Sequence, residues 1–127
     1  MTFDSLGLPN ALVKALSKEG YTKPYPIQSQ AIPAILDEKD VLGIAKTGSG
    51  KTASYVLPIL ANLQNKPEPK NRHIQALVLV PTRELAVQVF ETFKLFSSAL
   101  RSPIKSLVVF GGASINPQMI QMQGVRI

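Results

Sequence analysis

Apolar side chains recur at the spacing of one helix face in four stretches of the chain. These stretches are residues 9–19, 26–36, 51–63 and 83–99. Start and stop signals agree with this spacing, because Gly20 suits a helix end, Pro26 suits a first helical position and Thr82 can cap a helix. We therefore predict four helices, and we expect Pro33 to kink or split the second of them.

Other stretches are short and apolar almost throughout, which is typical of buried strands. They are residues 41–44, 75–80 and 106–110, and residues 124–127 resemble the start of a fourth strand. Strands that alternate with helices indicate βαβ units, and uninterrupted apolar strands indicate a sheet covered on both faces. The predicted fold class is therefore α/β, a parallel sheet with flanking helices.

Composition limits the kinds of protein that this chain can be. It has 127 residues, of which 45% are hydrophobic, and this favours one globular domain over intrinsic disorder. The absence of cysteine excludes a disulfide scaffold and a thiolate metal site, and a single histidine, His73, argues against a multi-histidine metal site. No apolar run approaches the roughly 20 residues of a membrane span, and no signal peptide precedes the first helix. We predict a cytoplasmic protein without a membrane partner.

Charge adds a possible partner and one unusual feature. Lys and Arg number 14 against 8 acids, so the net charge is +6, which permits a nucleic-acid partner. A basic, well-solvated surface explains the same net charge. The charge alone does not distinguish such a surface from a nucleic-acid-binding one. The last acid is Glu91, and the 36 residues after it contain no Asp or Glu.

The strongest motif lies between a predicted strand and a predicted helix. It consists of Ala45, Lys46, Thr47, Gly48, Ser49, Gly50, Lys51 and Thr52. From Gly50 onward it matches the P-loop pattern, in which glycines let backbone N–H groups surround phosphates at a helix N-terminus. In that pattern Lys51 reaches the β- and γ-phosphates and the Thr52 hydroxyl is a Mg²⁺ ligand. The alternative is a Gly-Ser turn before a helix that happens to begin with lysine.

Nucleotide hydrolysis also needs a carboxylate at the end of a neighbouring strand. The two predicted strands that follow the P-loop end in Pro81 and Gly111 instead. Asp37 and Glu38 follow an apolar run, but this run belongs to a predicted helix, and we interpret the pair as a solvated helix end. The catalytic acid is not found in this sequence.

A second candidate element lies upstream of the P-loop, in residues 20–28. The amide of Gln28 can accept from adenine N6 and donate to N7, which discriminates adenine from guanine by ~1–3 kcal/mol. Phe3 and Tyr21 are candidates for stacking on the base. Taken alone these residues are weak evidence, because a glutamine near a helix start is usually solvated and Phe3 is usually a core residue.

Four elements together resemble the motifs of the DEAD-box RNA helicases. Residues 20–28 resemble the Q motif, with Phe3 placed 17 residues before its glycine, and residues 45–52 resemble the form of P-loop that begins with alanine. Residues 81–86, Pro-Thr-Arg-Glu-Leu-Ala, resemble motif Ia, and Gly111-Gly112 resembles the GG element. Lys46 departs from the family, where glutamine is more common. The stretches 3–8 and 111–119 resemble the RhlE-type bacterial subgroup.

The resemblance implies a RecA-like P-loop NTPase domain that binds ATP and Mg²⁺. Gln28, Phe3 and Tyr21 would select adenine, and residues 45–52 would bind the phosphates and the metal. Single-stranded or duplex RNA would be the partner. Its backbone would contact Pro81, Thr82, Arg83, Gly111 and Gly112.

In the family a strand with the acids of the DEAD motif follows, and later a second RecA-like domain. We therefore expect residues 1–127 to be an incomplete first RecA-like domain, with a Q-motif region at 1–28 and a P-loop core at 41–127. The parent protein would be an ATP-dependent RNA helicase that unwinds short duplexes. The alternative is a non-catalytic fragment that binds nucleotide or RNA.

Overall fold

Five helical elements organise the part of the chain that the computed structural model describes, residues 2–66, 74–102 and 104–111. They are a 3-10 helix at Phe3–Leu6, α1 at Asn10–Lys18, α2 at Pro26–Leu36, α3 at Lys51–Asn65 and α4 at Arg83–Ser97. The four predicted α-helices are confirmed, and the 3-10 helix was not predicted. The predicted strand at 124–127 and His73 lie outside the described residues. No helix in the described ranges has the length and apolar character needed to cross a membrane.

Three described segments coincide with predicted strands, at residues 41–44, 75–80 and 106–110. None of them is helical, and none forms a strand ladder within the described ranges. From Gln75 to Val80 exposed and half-buried residues alternate strictly, and this period of two is that of extended backbone. The parallel sheet itself stays a prediction.

The predicted cover on both faces is not observed for these segments. Leu42 and Ile44 are 88% and 86% exposed, and Leu77 and Leu79 are 73% and 83% exposed. The segments at 74–81 and 104–111 face apolar residues of α3 and α4 across a cavity of about 540 Å³. These apolar side chains therefore lack the close packing that characterises a protein interior.

The described core lies among the helices. Leu12 and Leu16 of α1, Ile32 of α2, Leu57 of α3 and Phe96 of α4 are completely buried. Burial of each such side chain stabilises the fold by about 1.5–3 kcal/mol. Because every α-helix contributes to this one cluster, its packing fixes where the ends of α2 and α3 lie.

Pro33 and Pro58 both lie inside uninterrupted helices, so Pro33 does not split α2, and the kink expected there stays a prediction. A proline removes one backbone donor and crowds the preceding turn. Pro33 is exposed, so its ring meets solvent, whereas Pro58 of α3 is fully buried and packs within the core. Ile32 is completely buried beside Pro33, and this packing stabilises the helix across the missing hydrogen bond.

One side chain ties the end of α2 to α3. Asn62 of α3 donates from Nδ2 to the carbonyl oxygen of Ile35 over 3.0 Å. That carbonyl is among the last of α2, which have no partner inside their own helix. The bond supports the extensive packing of α2 on α3, and this packing brings the first turn of α2 to the start of α3.

Candidate functional site

The glycine-rich segment before α3 forms a tight turn that only glycine fits easily. Gly48 and Gly50 both have φ of +82°, in the left-handed region that side chains disfavour. The N–H of Ser49 donates to the carbonyl of Lys46 over 3.2 Å, and the Ser49 hydroxyl donates to the same oxygen. The turn therefore closes on itself through the Lys46 carbonyl.

The start of α3 has the chemistry of an anion site. Gly50 is the N-cap residue, and no side chain among the described residues caps the helix there, so the N–H groups of the first turn are available to a ligand. Lys51 is exposed at the first helical position and Thr52 is half-buried at the second. A helix N-terminus beside left-handed glycines and a lysine fits the phosphates of a nucleotide.

Tyr55 lies on the same face of α3 as Thr52, three residues further along the helix. Burial raises the pKa of its phenol from the ordinary value of 10.0, and a hydrogen bond with the Thr52 side chain opposes the rise. The phenol therefore stays protonated at neutral pH. Sequence reasoning missed Tyr55, although its spacing three residues after Thr52 on a helix was a usable signal.

Gln28 lies against the glycine-rich turn and is completely buried. Its Oε1 accepts from the Tyr25 backbone N–H over 2.9 Å, and its Nε2 donates to the Gly50 carbonyl over 3.3 Å. A Cβ added to Gly50 would lie 2.3 Å from Nε2, so glycine is required for this approach. The structure thus brings together two predicted site elements that are 22 residues apart.

The aromatic candidates are placed differently from one another. Phe3 is 3% exposed and belongs to the core. Tyr21 is half-buried and meets the rings of Phe3 and Phe96 edge to face, with centroids 6.3 and 6.1 Å away. Tyr25 is 51% exposed, and its ring lies beside Gly50. Sequence reasoning did not single out Tyr25 as a candidate for base stacking.

The acidic run at the end of α2 matches the solvated helix end inferred from the sequence. Asp37 follows the last helical residue, and both Asp37 and Glu38 are exposed. Asp37 pairs with Lys39 at 3.3 Å and Glu38 with Lys66 at 3.7 Å. Exposed pairs of this kind contribute little to stability.

The motif at the start of α4 meets the segment that ends at Gly111. Pro81, Thr82 and Arg83 are all exposed, and the Thr82 hydroxyl accepts from the Leu85 N–H over 3.1 Å, which confirms the predicted helix cap. Arg83 donates from Nη2 to the Gly111 carbonyl over 2.6 Å. Two predicted nucleic-acid elements are therefore adjacent, while Gly112 lies outside the described residues.

Comparison with known proteins decides the family. Residues 25–127 match the DEAD/DEAH box helicase family. The chain belongs to this family. It is similar to the "ATP-dependent RNA helicase DeaD" of Klebsiella pneumoniae, with 48% identity over 93% of this chain and 18% of that protein. It is also 43% identical to the "DEAD-box ATP-dependent RNA helicase RhpA" of Helicobacter pylori, over 92% of this chain and 22% of the relative.

Parts of two solved structures have the same fold as this chain. A DEAD box protein from the hyperthermophile Methanococcus jannaschii superposes with a TM-score of 0.84 at 33% identity, covering 100% of this chain and 33% of the other. The RNA-helicase Prp28 from Chaetomium thermophilum, bound to ADP, superposes with a TM-score of 0.79 at 38% identity. That match covers 93% of this chain and 28% of Prp28. The chain thus spans a third or less of these proteins, and the RhlE-type resemblance stays a prediction.

Proposed function

We propose that this chain supplies the ATP-binding surface and part of the RNA-backbone surface of an ATP-dependent RNA helicase. The full protein would hydrolyse ATP in response to RNA and separate short duplexes. The observation that carries the proposal is the contact between Gln28 and Gly50, because it joins a base-reading amide to a phosphate-binding turn. A P-loop of another kind has no need for such a glutamine.

The nucleotide site follows from the donors of this segment. Residues 45–52 would hold the phosphates through backbone N–H groups and the Lys51 ammonium, and Thr52 would be the protein ligand of Mg²⁺. Gln28 would recognise adenine, and Tyr21 and Phe3 would be the stacking residues, for which Phe3 would have to leave its buried position in the core. Within the described ranges, Oε1 and Nε2 of Gln28 each make one hydrogen bond, and a primary amide can make further ones. Because Gln28 is completely buried, adenine recognition requires a local rearrangement at Tyr25 or the phosphate turn.

The RNA site would lie at Pro81, Thr82, Arg83, Gly111 and Gly112. Exposed hydroxyl, guanidinium and glycine amide groups are ordinary partners of phosphates and sugars, and they position a strand without reading its sequence. The three extended segments would pair as a parallel sheet beneath both sites, as in a RecA-like domain. A second RecA-like domain would complete the enzyme, which we place in the cytoplasm.

Nucleotide titrations test the proposal directly. Fluorescent ATP and GTP are titrated into the intact chain and its Gln28→Ala and Lys51→Ala variants. The unmutated chain should prefer ATP by roughly five- to 150-fold, the equivalent of about 1–3 kcal/mol. Gln28→Ala should bring the ratio close to one, and Lys51→Ala should weaken both nucleotides alike. Equal affinity of the unmutated chain for ATP and GTP would contradict adenine recognition.

A further inference from the structure

The guanidinium of Arg83 has two partners in the segment that ends at Gly111. It donates from Nη2 to the Gly111 carbonyl over 2.6 Å, and its carbon Cζ lies over the Phe110 ring, 5.9 Å from the centroid. Arg83 is exposed, whereas Phe110 is half-buried and lines the apolar cavity beneath α4. The aromatic ring is therefore anchored while the cation faces solvent.

This arrangement orients the arginine while using one of its N–H donors, the one that bonds to the Gly111 carbonyl. A cation over an aromatic face is attracted by the ring electrons, and the guanidinium N–H groups lie at the edge of the cation and not on its face. The Gly111 carbonyl accepts from one N–H. Other N–H groups of the planar guanidinium remain to bind two oxygens of a charged acceptor such as a phosphate. An exposed arginine on its flexible stem would otherwise lose much rotamer freedom on binding a phosphate.

We propose that Phe110 is a positioning residue of the RNA-backbone surface. It holds the Arg83 guanidinium at the junction of the two segments, so that the cation is already oriented when a sugar-phosphate backbone arrives. This inference rests on the proposed function, since it presumes that Arg83 contacts RNA. It assigns a role to an aromatic residue that the motif resemblance did not include.

A double-mutant cycle separates this role from general support of the fold. The probe is a fluorescein-labelled single-stranded oligouridine, titrated at several salt concentrations into the intact chain. Phe110→Leu keeps apolar volume but removes the ring face and should weaken binding roughly two- to fivefold. Phe110→Tyr keeps the face and should restore the affinity. Val109→Ala changes an exposed apolar neighbour and serves as the control.

Arg83→Gln supplies the other arm of the cycle. It should weaken binding and make the slope of log K against log salt concentration shallower by about 0.7, the equivalent of one phosphate contact on a single strand. In that background Phe110→Leu should cost nothing more, because the cation it orients is gone. An equal loss in both backgrounds, or a loss that Phe110→Tyr does not restore, would overturn the positioning role. An Arg83→Gln variant that binds RNA unchanged would instead overturn the proposed RNA site itself, and the positioning role with it.

Discussion

The Nε2 of Gln28 donates to the carbonyl oxygen of Gly50 over 3.3 Å, which fastens the first turn of α2 to the turn that precedes α3. Gly50 has no side chain to keep the amide away, and a Cβ there would also lie 2.9 Å from Cδ2 of Tyr25. Gly50 therefore both shapes the glycine-rich turn and lets the Gln28 amide, the group proposed to recognise adenine, approach that turn. A substitution at Gln28 or at Gly50 should therefore alter the conformation of the other residue.

Gly50→Ala should destabilise the chain more than Gly48→Ala does. Both glycines have φ of +82°, so both substitutions carry the left-handed penalty of about 1–2 kcal/mol. Only the Cβ at Gly50 meets neighbouring atoms, because nothing lies within 4 Å of the Cβ position at Gly48. Displacement of Gln28 and Tyr25 should add about 1–3 kcal/mol.

Urea unfolding of the two variants side by side gives this difference. Since the backbone penalty is shared, the comparison isolates the contact with Gln28 and Tyr25. Equal losses of unfolding free energy for Gly48→Ala and Gly50→Ala would show that the close approach is not part of the folded chain in solution.

The helices were predictable from the sequence because each carries a local signal. The apolar spacing of α1 and the Thr82 cap of α4 need no information from the rest of the chain. The burial of Gln28 was not predictable, because its partner Gly50 is 22 residues away and is reached only through the packing of α2 on α3. The junction of Arg83 with Phe110 depends in the same way on a contact between distant segments.

Thr82→Ala should lower the stability of α4 by about 1 kcal/mol, the usual cost of losing a helix cap. The Thr82 hydroxyl accepts from the Leu85 N–H, and alanine leaves that donor without its protein partner. Thr82→Ser keeps the hydroxyl and should retain most of the stability. Urea unfolding followed by circular dichroism at a helix wavelength measures both. An alanine variant as stable as the serine variant would mean that the hydroxyl does not cap α4.

Ser97→Ala should lower the free energy of unfolding by about 1–3 kcal/mol, because it removes the hydrogen-bond partner of two backbone groups. The buried Ser97 hydroxyl accepts from the Ile104 N–H over 2.7 Å and donates to the Ile104 carbonyl over 3.1 Å. These bonds tie the end of α4 to the segment that leads to Phe110. The hydroxyl of the exposed neighbour Ser98 donates locally to the Leu95 carbonyl, so Ser98→Ala is the matched control and should change stability by less than about 0.5 kcal/mol.

Amide hydrogen exchange adds a local measurement to this comparison. The Ile104 amide should exchange faster in Ser97→Ala than in Ser98→Ala, since only the first variant removes its acceptor. Unchanged protection of Ile104 in Ser97→Ala would show that another group satisfies this N–H in solution.

The Tyr55→Phe variant should lose less stability at alkaline pH than the unmutated chain loses. Burial raises the pKa of the Tyr55 phenol above 10.0, so the folded chain holds this proton more tightly than the unfolded chain does. The resulting stability is fully present below pH 10, the unfolded pKa, and is lost as the pH rises through the folded pKa. Thermal midpoints of the chain, Tyr55→Phe and the control Tyr25→Phe are compared at neutral pH and above pH 10. A parallel decline of the chain and Tyr55→Phe would refute the burial of this phenol.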